Sequence, residues 1–107
     1  MFGIKYIHIY GLVRCGYCAK AVTFLNAAGI EYAFTLCDRS STMLHEVKKA
    51  TGRKTVPIIV EYKEDDTAHL IGGYDNLVAH MRVKYGLEIK PEPEVKVQIE
   101  EPPEGEE

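Results

Sequence analysis

Three kinds of pattern are missing from this chain of 107 residues. No apolar run approaches the roughly 18 residues that a membrane-spanning helix needs, so we expect no membrane association. Residues 1–5 lead directly into a strand pattern without the apolar block of a secretory signal, and we therefore expect a cytoplasmic protein. No dense run of Lys and Arg is present, which argues against nucleic acid as a partner.

Charge is divided unevenly along the chain. Residues 91–107 contain seven of the 16 acidic residues and one of the 13 basic residues. The remaining 12 basic and 9 acidic residues give residues 1–90 a net charge of +3, which is compatible with a small anionic substrate. We expect residues 1–88 to form one domain. Residues 89–107 are rich in Pro and Glu and cannot bury enough apolar surface, so we expect them to form a disordered acidic tail.

The chain has only three cysteines, and two of them, Cys15 and Cys18, form a C-x-x-C pair. If this pair opens a helix, the thiols lie about one turn apart on one face, where they can form a disulfide or hold a metal. The sulfur of Cys15 would also face unpaired backbone N–H groups and the positive end of the helix dipole. Both stabilise a thiolate, so Cys15 is the predicted nucleophile.

Hydrophobic periodicity predicts a βαβ unit in the first part of the chain. A strand is predicted over residues 4–10, with a loop from Gly11 to Arg14. A helix follows from Cys15 or Gly16 to residue 28 and ends at Gly29, and residues 31–37 form a second strand. The two strands of such a unit should be parallel.

The second half predicts an α-β-β-α order. Ser40, Ser41 or Thr42 caps a second helix that ends at Gly52. Strands follow over residues 55–62 and 68–71, joined by a charged turn, and the last helix begins with Asp75 as its N-cap and ends before Gly86. The side chains expected to face inward from the two helices are Met43, Leu44, Val47, Ala50, Leu77, Val78, Met81 and Tyr85.

Three separate segments resemble the signature segments of glutaredoxins, in the same order and at fitting separations. They are Cys15-Gly16-Tyr17-Cys18, Thr55-Val56-Pro57 and Gly72-Gly73-Tyr74-Asp75-Asn76-Leu77. The resemblance covers about residues 4–87. It implies an α/β protein of thioredoxin-like fold, with a four-stranded mixed sheet and three helices in the order β-α-β-α-β-β-α.

The resemblance also implies roles for individual residues. Cys15 would be the catalytic nucleophile and Cys18 the resolving thiol. Pro57 would follow a cis peptide bond, and its segment would pair with a peptide-like substrate. The positions expected to contact glutathione are Arg14, Tyr17, Lys54, Thr55, Val56, Pro57, Gly73, Tyr74, Asp75 and Asn76. Arg14, Lys20, Arg53 and Lys54 would form a basic rim that suits the two carboxylates of glutathione.

Three positions depart from the family pattern, and one of them, Ile58, replaces a residue that is often polar. Gly16 stands where dithiol glutaredoxins usually have proline, which loosens the helix start and resembles the glutaredoxins that hold a [2Fe-2S] cluster between two protomers. Asn76 stands where a second aspartate is common, which removes one expected ionic contact with glutathione.

The predicted function is that of a dithiol glutaredoxin, a monomer that uses glutathione as co-substrate and has no tightly bound organic cofactor. Its partners would be disulfide-containing or glutathionylated proteins, with ribonucleotide reductase as one candidate. One alternative is a module that binds a [2Fe-2S] cluster through Cys15. Another is a thioredoxin-type reductant served by a flavoprotein reductase, which the absence of tryptophan and the GGYDN segment disfavour.

The remaining cysteine and the histidines carry weaker signals. Cys37 at the end of a strand is expected to be a small core or edge residue. Cys15, Cys18, Cys37 and His45 have the right chemistry for zinc, but the chain has no second close pair of ligands, so no zinc site is predicted.

Overall fold

The computed structural model describes residues 3–87. The predicted acidic tail, residues 89–107, lies outside this range. The elements are β1 (Ile4–Gly11), α1 (Gly16–Ala28), β2 (Tyr32–Leu36), α2 (Ser41–Thr51), β3 (Ile58–Lys63), β4 (Ala68–Gly72) and α3 (Tyr74–Tyr85). This is the predicted β-α-β-α-β-β-α order. No helix within residues 3–87 is both long enough and apolar enough to cross a bilayer.

The four strands form one mixed sheet in the order β2-β1-β3-β4. β1 and β2 are parallel, which confirms the predicted βαβ unit, whereas β3 is antiparallel to both β1 and β4. The central position of β1 explains its β-branched and aromatic sequence, since both of its edges are paired and its side chains pack on both faces of the sheet.

The hydrophobic core lies between one face of the sheet and the helices α1 and α3. Alternate residues of β1, Ile7 and Ile9, have no exposed surface, and Ile59 of β3 pairs with Ile9 on the same face. Helical spacing places Leu25 of α1 and Met81 of α3 against them, also with no exposed surface. Burying a side chain of this size stabilises the fold by about 1.5–3 kcal/mol.

One charged side chain is buried in this core. Glu61 of β3 has no exposed surface and points to the same face as Ile7, its partner in the register. Its Oε2 accepts a 2.6 Å hydrogen bond from the hydroxyl of Tyr85, and its Oε1 lies 3.3 Å from Nε2 of His80. These two residues of α3 therefore offset part of the desolvation cost of the carboxylate.

The second helix differs from the prediction. Its start is confirmed, because the Oγ of Ser40 accepts the N–H of Met43 at 3.1 Å, and Gly52 ends it in the left-handed region with φ 75°. The prediction of four inward-facing residues is wrong for Met43, which is 41% exposed, and for Ala50, which is also exposed. Leu44 and Val47 are half-buried. The reason is that α2 lies outside the hydrophobic cluster formed by the sheet, α1 and α3.

Several element boundaries also differ, three of them next to the signature segments. Gly11 is the last residue of β1 and pairs with Leu36, so it does not belong to the predicted loop. β3 begins at Ile58, after the Thr55-Val56-Pro57 segment. The N-cap of α3 is Gly73, not Asp75, because the chain already turns at Gly72, where φ is +124°.

Candidate functional site

The cysteine pair lies where β1 passes into α1. Cys15 is the N-cap of α1, with extended backbone angles, and its Sγ accepts a 3.1 Å hydrogen bond from the backbone N–H of Cys18. The two residues form a disulfide across Cα atoms that are 5.2 Å apart. The spacing of the pair therefore places both sulfurs at the start of one helix, as predicted.

The two sulfurs have different surroundings. Cys18 is 1% exposed, whereas Cys15 is half-buried at the end of the loop that precedes the helix. The first turn of α1 contains no acidic residue, so no carboxylate opposes negative charge on the N-terminal sulfur. Unpaired N–H groups and the helix dipole favour an anion at this end.

Two hydrogen bonds donated by backbone N–H groups hold the loop before Cys15. The backbone N–H of Val13 donates to Oδ1 of Asp38 at 2.9 Å, and the N–H of Cys15 donates to the carbonyl of Leu12 at 3.2 Å. Arg14 lies exposed in this turn. The loop is therefore fastened to the segment that follows β2.

Two tyrosines connect the start of α1 with the start of α3. The ring centroids of Tyr17 and Tyr74 are 6.2 Å apart. The Nζ of Lys20 lies 4.9 Å from the centroid of Tyr17 and 6.0 Å from that of Tyr74, within or close to cation–π range. Tyr17 is 53% exposed, so its ring remains available to a ligand. Burial, with a smaller contribution from Asp75, raises the pKa of Tyr74.

The Thr55-Val56-Pro57 segment lies beside the start of α3. The Val56–Pro57 peptide bond is cis, as the resemblance implies, and Pro57 is buried while Thr55 is exposed. A β-carbon built on Gly73 would lie 3.8 Å from the carbonyl oxygen of Pro57 and 3.2 Å from Nη2 of Arg53. The guanidinium of Arg53 and the carbonyl of Pro57 thus both lie close to Gly73, the N-cap of α3.

The first turn of α3 is organised by Asn76. Its Oδ1 accepts the backbone N–H of Gly73 at 2.9 Å, so the side chain closes the turn in which Gly73 is the N-cap. Asp75 is exposed in the same turn. This amide therefore has a structural partner, which explains how asparagine is accommodated where the family pattern often has aspartate.

The three predicted segments consequently meet. Tyr17 contacts Tyr74, and Gly73 approaches Pro57, so the cysteine loop, the proline segment and the glycine turn border one region of the surface. Lys54, which follows Arg53 in the chain, is exposed. This arrangement brings the Cys15–Cys18 disulfide, the first turn of α3 and the guanidinium of Arg53 to one region of the surface.

The third cysteine lies apart from this chemistry. Cys37 is free, 2% exposed, and donates weakly from its Sγ to the carbonyl of Thr35. Burial, followed by the nearby charge of Asp38, raises the pKa of its thiol. Within residues 3–87, no group of three or more His, Cys, Asp or Glu side chains is placed to hold a metal ion.

Sequence patterns did not single out Gly11. Its backbone passes so close to Cys18 that a β-carbon at this position would lie 2.5 Å from the Sγ of Cys18. The contact joins a strand to a helix across a loop, so no local spacing rule reveals it. A glycine inside a strand is the one available signal, since it often marks close approach of another group.

Comparisons with family models and with curated proteins point to the same family. The family model described as Glutaredoxin matches residues 7–63. Glutaredoxin 3 of Escherichia coli strain K12 is 34% identical over 73 residues, which cover 68% of this chain and 82% of that protein. Residues 7–63, which the family model matches, contain the cysteine pair and the proline segment.

Solved structures share the same fold. The buckwheat glutaredoxin–glutathione complex superposes with a TM-score of 0.62 at 22% identity, covering 72% of this chain and 68% of that chain. The glutaredoxin of Brucella melitensis has a TM-score of 0.60 at 26% identity and covers 81% of this chain and 97% of that chain. The predicted thioredoxin-like fold is thereby confirmed.

Proposed function

This chain belongs to the glutaredoxin family of thiol–disulfide oxidoreductases, and we propose that it reduces protein disulfides and glutathionylated thiols with electrons from glutathione. The observation that carries the proposal is the difference between its two paired cysteines. Cys15 caps a helix with its sulfur and is half-buried, whereas Cys18 is 1% exposed behind it. A substrate disulfide can therefore approach Cys15 but not Cys18.

Cys15 acts as the nucleophile in this proposal. Its sulfur accepts the N–H of Cys18 and lies at the positive end of α1, and both interactions favour the thiolate over the thiol. Thiolates are the attacking species in exchange, and the rate is highest when the pKa lies near the ambient pH. The absence of acidic residues in the first turn of α1 supports the same assignment.

The reaction conserves atoms and electrons at each step. The thiolate of Cys15 attacks one sulfur of the substrate disulfide, forms a mixed disulfide and releases the other sulfur as a thiolate. Cys18 then attacks the sulfur of Cys15, which forms the Cys15–Cys18 disulfide and releases the reduced substrate. Two glutathione molecules reduce this disulfide and leave as glutathione disulfide. When the substrate is glutathionylated, a second glutathione can instead attack the mixed disulfide on Cys15 directly.

Glutathione would bind where the three segments meet. We assign the wall of the site to Tyr17 and Tyr74, and the peptide-like contact to the backbone of Thr55 and Val56. The first turn of α3, Gly73 to Asn76, presents backbone N–H groups suited to a carboxylate. Pro57 is buried next to these backbone groups, and Asp75 is exposed in the first turn of α3. Exposed Arg14 and Lys54 would attract the anionic ligand.

A coupled reduction assay tests the proposal. The wild-type protein is mixed with a glutathionylated substrate, glutathione, glutathione reductase and NADPH, and the loss of NADPH absorbance is followed. We expect turnover that needs both glutathione and Cys15. A protein that is reduced only by thioredoxin reductase, with no activity in the glutathione system, would contradict the proposal and favour the thioredoxin-type alternative.

The same preparation tests the cluster-binding alternative. Gly16 at the helix start keeps that alternative open, since it replaces the usual proline. An absorption spectrum after anaerobic purification is compared with that of Cys15→Ser. A visible charge-transfer band that disappears in the variant would support cluster binding by Cys15, while a spectrum without such a band supports the thiol-exchange function alone.

A further inference from the structure

We propose that Gly11 is a positioning residue for the resolving step, an inference that rests on the proposed dithiol function. Gly11 is buried at the end of β1, four residues before Cys15. Because it has no side chain, the sulfur of Cys18 occupies the space beside its Cα. The sulfur of Cys18 occupies this space when it forms the disulfide with Cys15.

The geometry around Gly11 leaves no room for a methyl group. A β-carbon there would lie 2.5 Å from the Sγ of Cys18, 3.3 Å from its Cβ and 3.0 Å from Cζ of Phe34. The first distance is far shorter than a van der Waals contact, so one of the two groups would have to move.

The backbone of Gly11 has little freedom to move. Gly11 pairs with Leu36 in the parallel ladder, and its carbonyl accepts a 2.8 Å hydrogen bond from the backbone N–H of Cys37. Displacing this strand end would disturb the ladder between β1 and β2. The adjustment therefore falls on the side chain of Cys18.

The cost of this adjustment depends on the oxidation state. In the disulfide, the sulfur of Cys18 is bonded to Cys15 and cannot rotate away from position 11. In the dithiol, the same sulfur is free to take another staggered rotamer about one side-chain bond. A side chain at position 11 therefore destabilises the oxidised pair more than the reduced pair, and it hinders attack of Cys18 on Cys15.

The first experiment measures the equilibrium of the pair in the full-length chain. Wild-type protein and Gly11→Ala are equilibrated in dithiothreitol redox buffers, quenched by alkylation and counted by mass spectrometry. We expect the equilibrium constant for forming the Cys15–Cys18 disulfide to fall about tenfold in the variant, since overpacking typically costs enough for such a change. That factor corresponds to a reduction potential about 30 mV higher for a two-electron couple. An unchanged constant in a folded Gly11→Ala protein would overturn the proposal.

A second measurement separates the sulfur contact from a general packing defect. Urea unfolding is compared for Gly11→Ala in the oxidised wild-type background and in a Cys18→Ala background, which lacks the sulfur. We expect the alanine to lower the unfolding midpoint less when the sulfur is absent, and a Gly11→Ala protein that folds only with Cys18→Ala supports the same conclusion. An equal loss in both backgrounds, or failure of both to fold, would assign the effect to Phe34 and overturn the proposal.

The two thiol reactions provide the kinetic readout. Reduction of a protein disulfide requires Cys18, whereas deglutathionylation can proceed with Cys15 and glutathione alone. We expect Gly11→Ala to lower the first rate relative to the second, while an equal change in both rates contradicts a role specific to resolution. The equilibrium measurement uses dithiothreitol, so its result remains interpretable if the wild-type protein proves inactive with glutathione.

Discussion

The sulfur of Cys15 accepts a 3.1 Å hydrogen bond from the backbone N–H of Cys18, the residue to which it is also joined by the disulfide. In the reduced protein, the backbone N–H of Cys18 can therefore stabilise a thiolate on Cys15, while the side chain of Cys18 carries the second sulfur of the pair. From this relation we expect Cys15→Ser to abolish turnover, because a serine hydroxyl is not ionised at neutral pH. Cys18→Ser should retain deglutathionylation, measured with glutathione and its reductase, and lose the reduction of protein disulfides.

The outcome for Cys15→Ser is decisive for the assignment of roles. If that variant keeps measurable turnover while Cys18→Ser has none, the nucleophile is Cys18 and the order of attack is reversed. Far-ultraviolet circular dichroism provides a control that both variants are folded, and thiol titration after denaturation should count two free cysteines in each, Cys37 and the remaining member of the pair.

The tyrosine pair at the site gives a prediction for substrate binding. Tyr74→Ala removes the ring that lies 6.2 Å from Tyr17 and 6.0 Å from Nζ of Lys20. We expect KM for a glutathionylated peptide to rise about twofold to tenfold, since such an aromatic contact is worth about 0.5–1.5 kcal/mol. The value of kcat should change less, because the cysteines are untouched. Val83→Ala, an exposed position on the same helix, is the control.

The stability of the fold should depend on the hydrogen bond between Tyr85 and the buried carboxylate of Glu61. Tyr85→Phe removes the 2.6 Å hydrogen bond to Glu61, a group with no exposed surface. We expect the free energy of unfolding to fall by about 1–3 kcal/mol, the usual cost of leaving a buried acceptor short of a partner. Urea denaturation at neutral pH measures this loss, and an unchanged midpoint would show that the hydrogen bond adds no net stability.

The same pair predicts a loss of stability in alkali. Burial, then the hydrogen bond to Glu61 and its negative charge, raise the pKa of Tyr85 well above its usual value of 10.0. The unfolded chain therefore loses this proton first as the pH rises, and the contribution of Tyr85 is complete below about pH 10 and declines above it. Urea midpoints of wild type and Tyr85→Phe should converge above that pH. A constant difference between them would contradict the prediction.

The histidine on the other face of the sheet predicts a loss of stability in acid. Burial lowers the pKa of His8, whose Nε2 lies 2.7 Å from Oγ1 of Thr35 and whose ring lies beside those of Tyr6 and Tyr10. The unfolded chain takes up the proton first, so stability should be complete above the ordinary pKa of 6.5 and fall below it. His8→Gln should flatten this decline between about pH 5 and pH 7. The same slope in both proteins would assign the decline to other groups.

Much of the fold could be predicted because local signals agreed with the final packing. Gly29 and Gly52 end helices where expected, each with positive φ, and Ser40 caps α2. The burial of α2 was predicted wrongly because periodicity identifies an apolar face but not the element that covers it. Met43 and Ala50 remain exposed for that reason.

The site was predictable as a set of segments but not as a set of contacts. Tyr17 and Tyr74 were recognised individually, yet their approach depends on the relative placement of α1 and α3. Gly11 and Glu61 were not recognised, because each owes its role to a residue on another element, Cys18 and Tyr85 respectively. Such contacts arise from the packing of elements, which no spacing along the chain encodes.

The buried third cysteine can report local opening of the fold, because its thiol reacts only when it becomes exposed. Cys37 is 2% exposed and its thiol pKa is raised by burial, so an alkylating reagent reaches it only when the end of β2 separates from its surroundings. With Cys15 and Cys18 held in their disulfide, the rate of labelling reports how often this part of the fold opens. The rate of local opening can thus be measured by mass spectrometry in the unmodified sequence, without adding a cysteine for labelling.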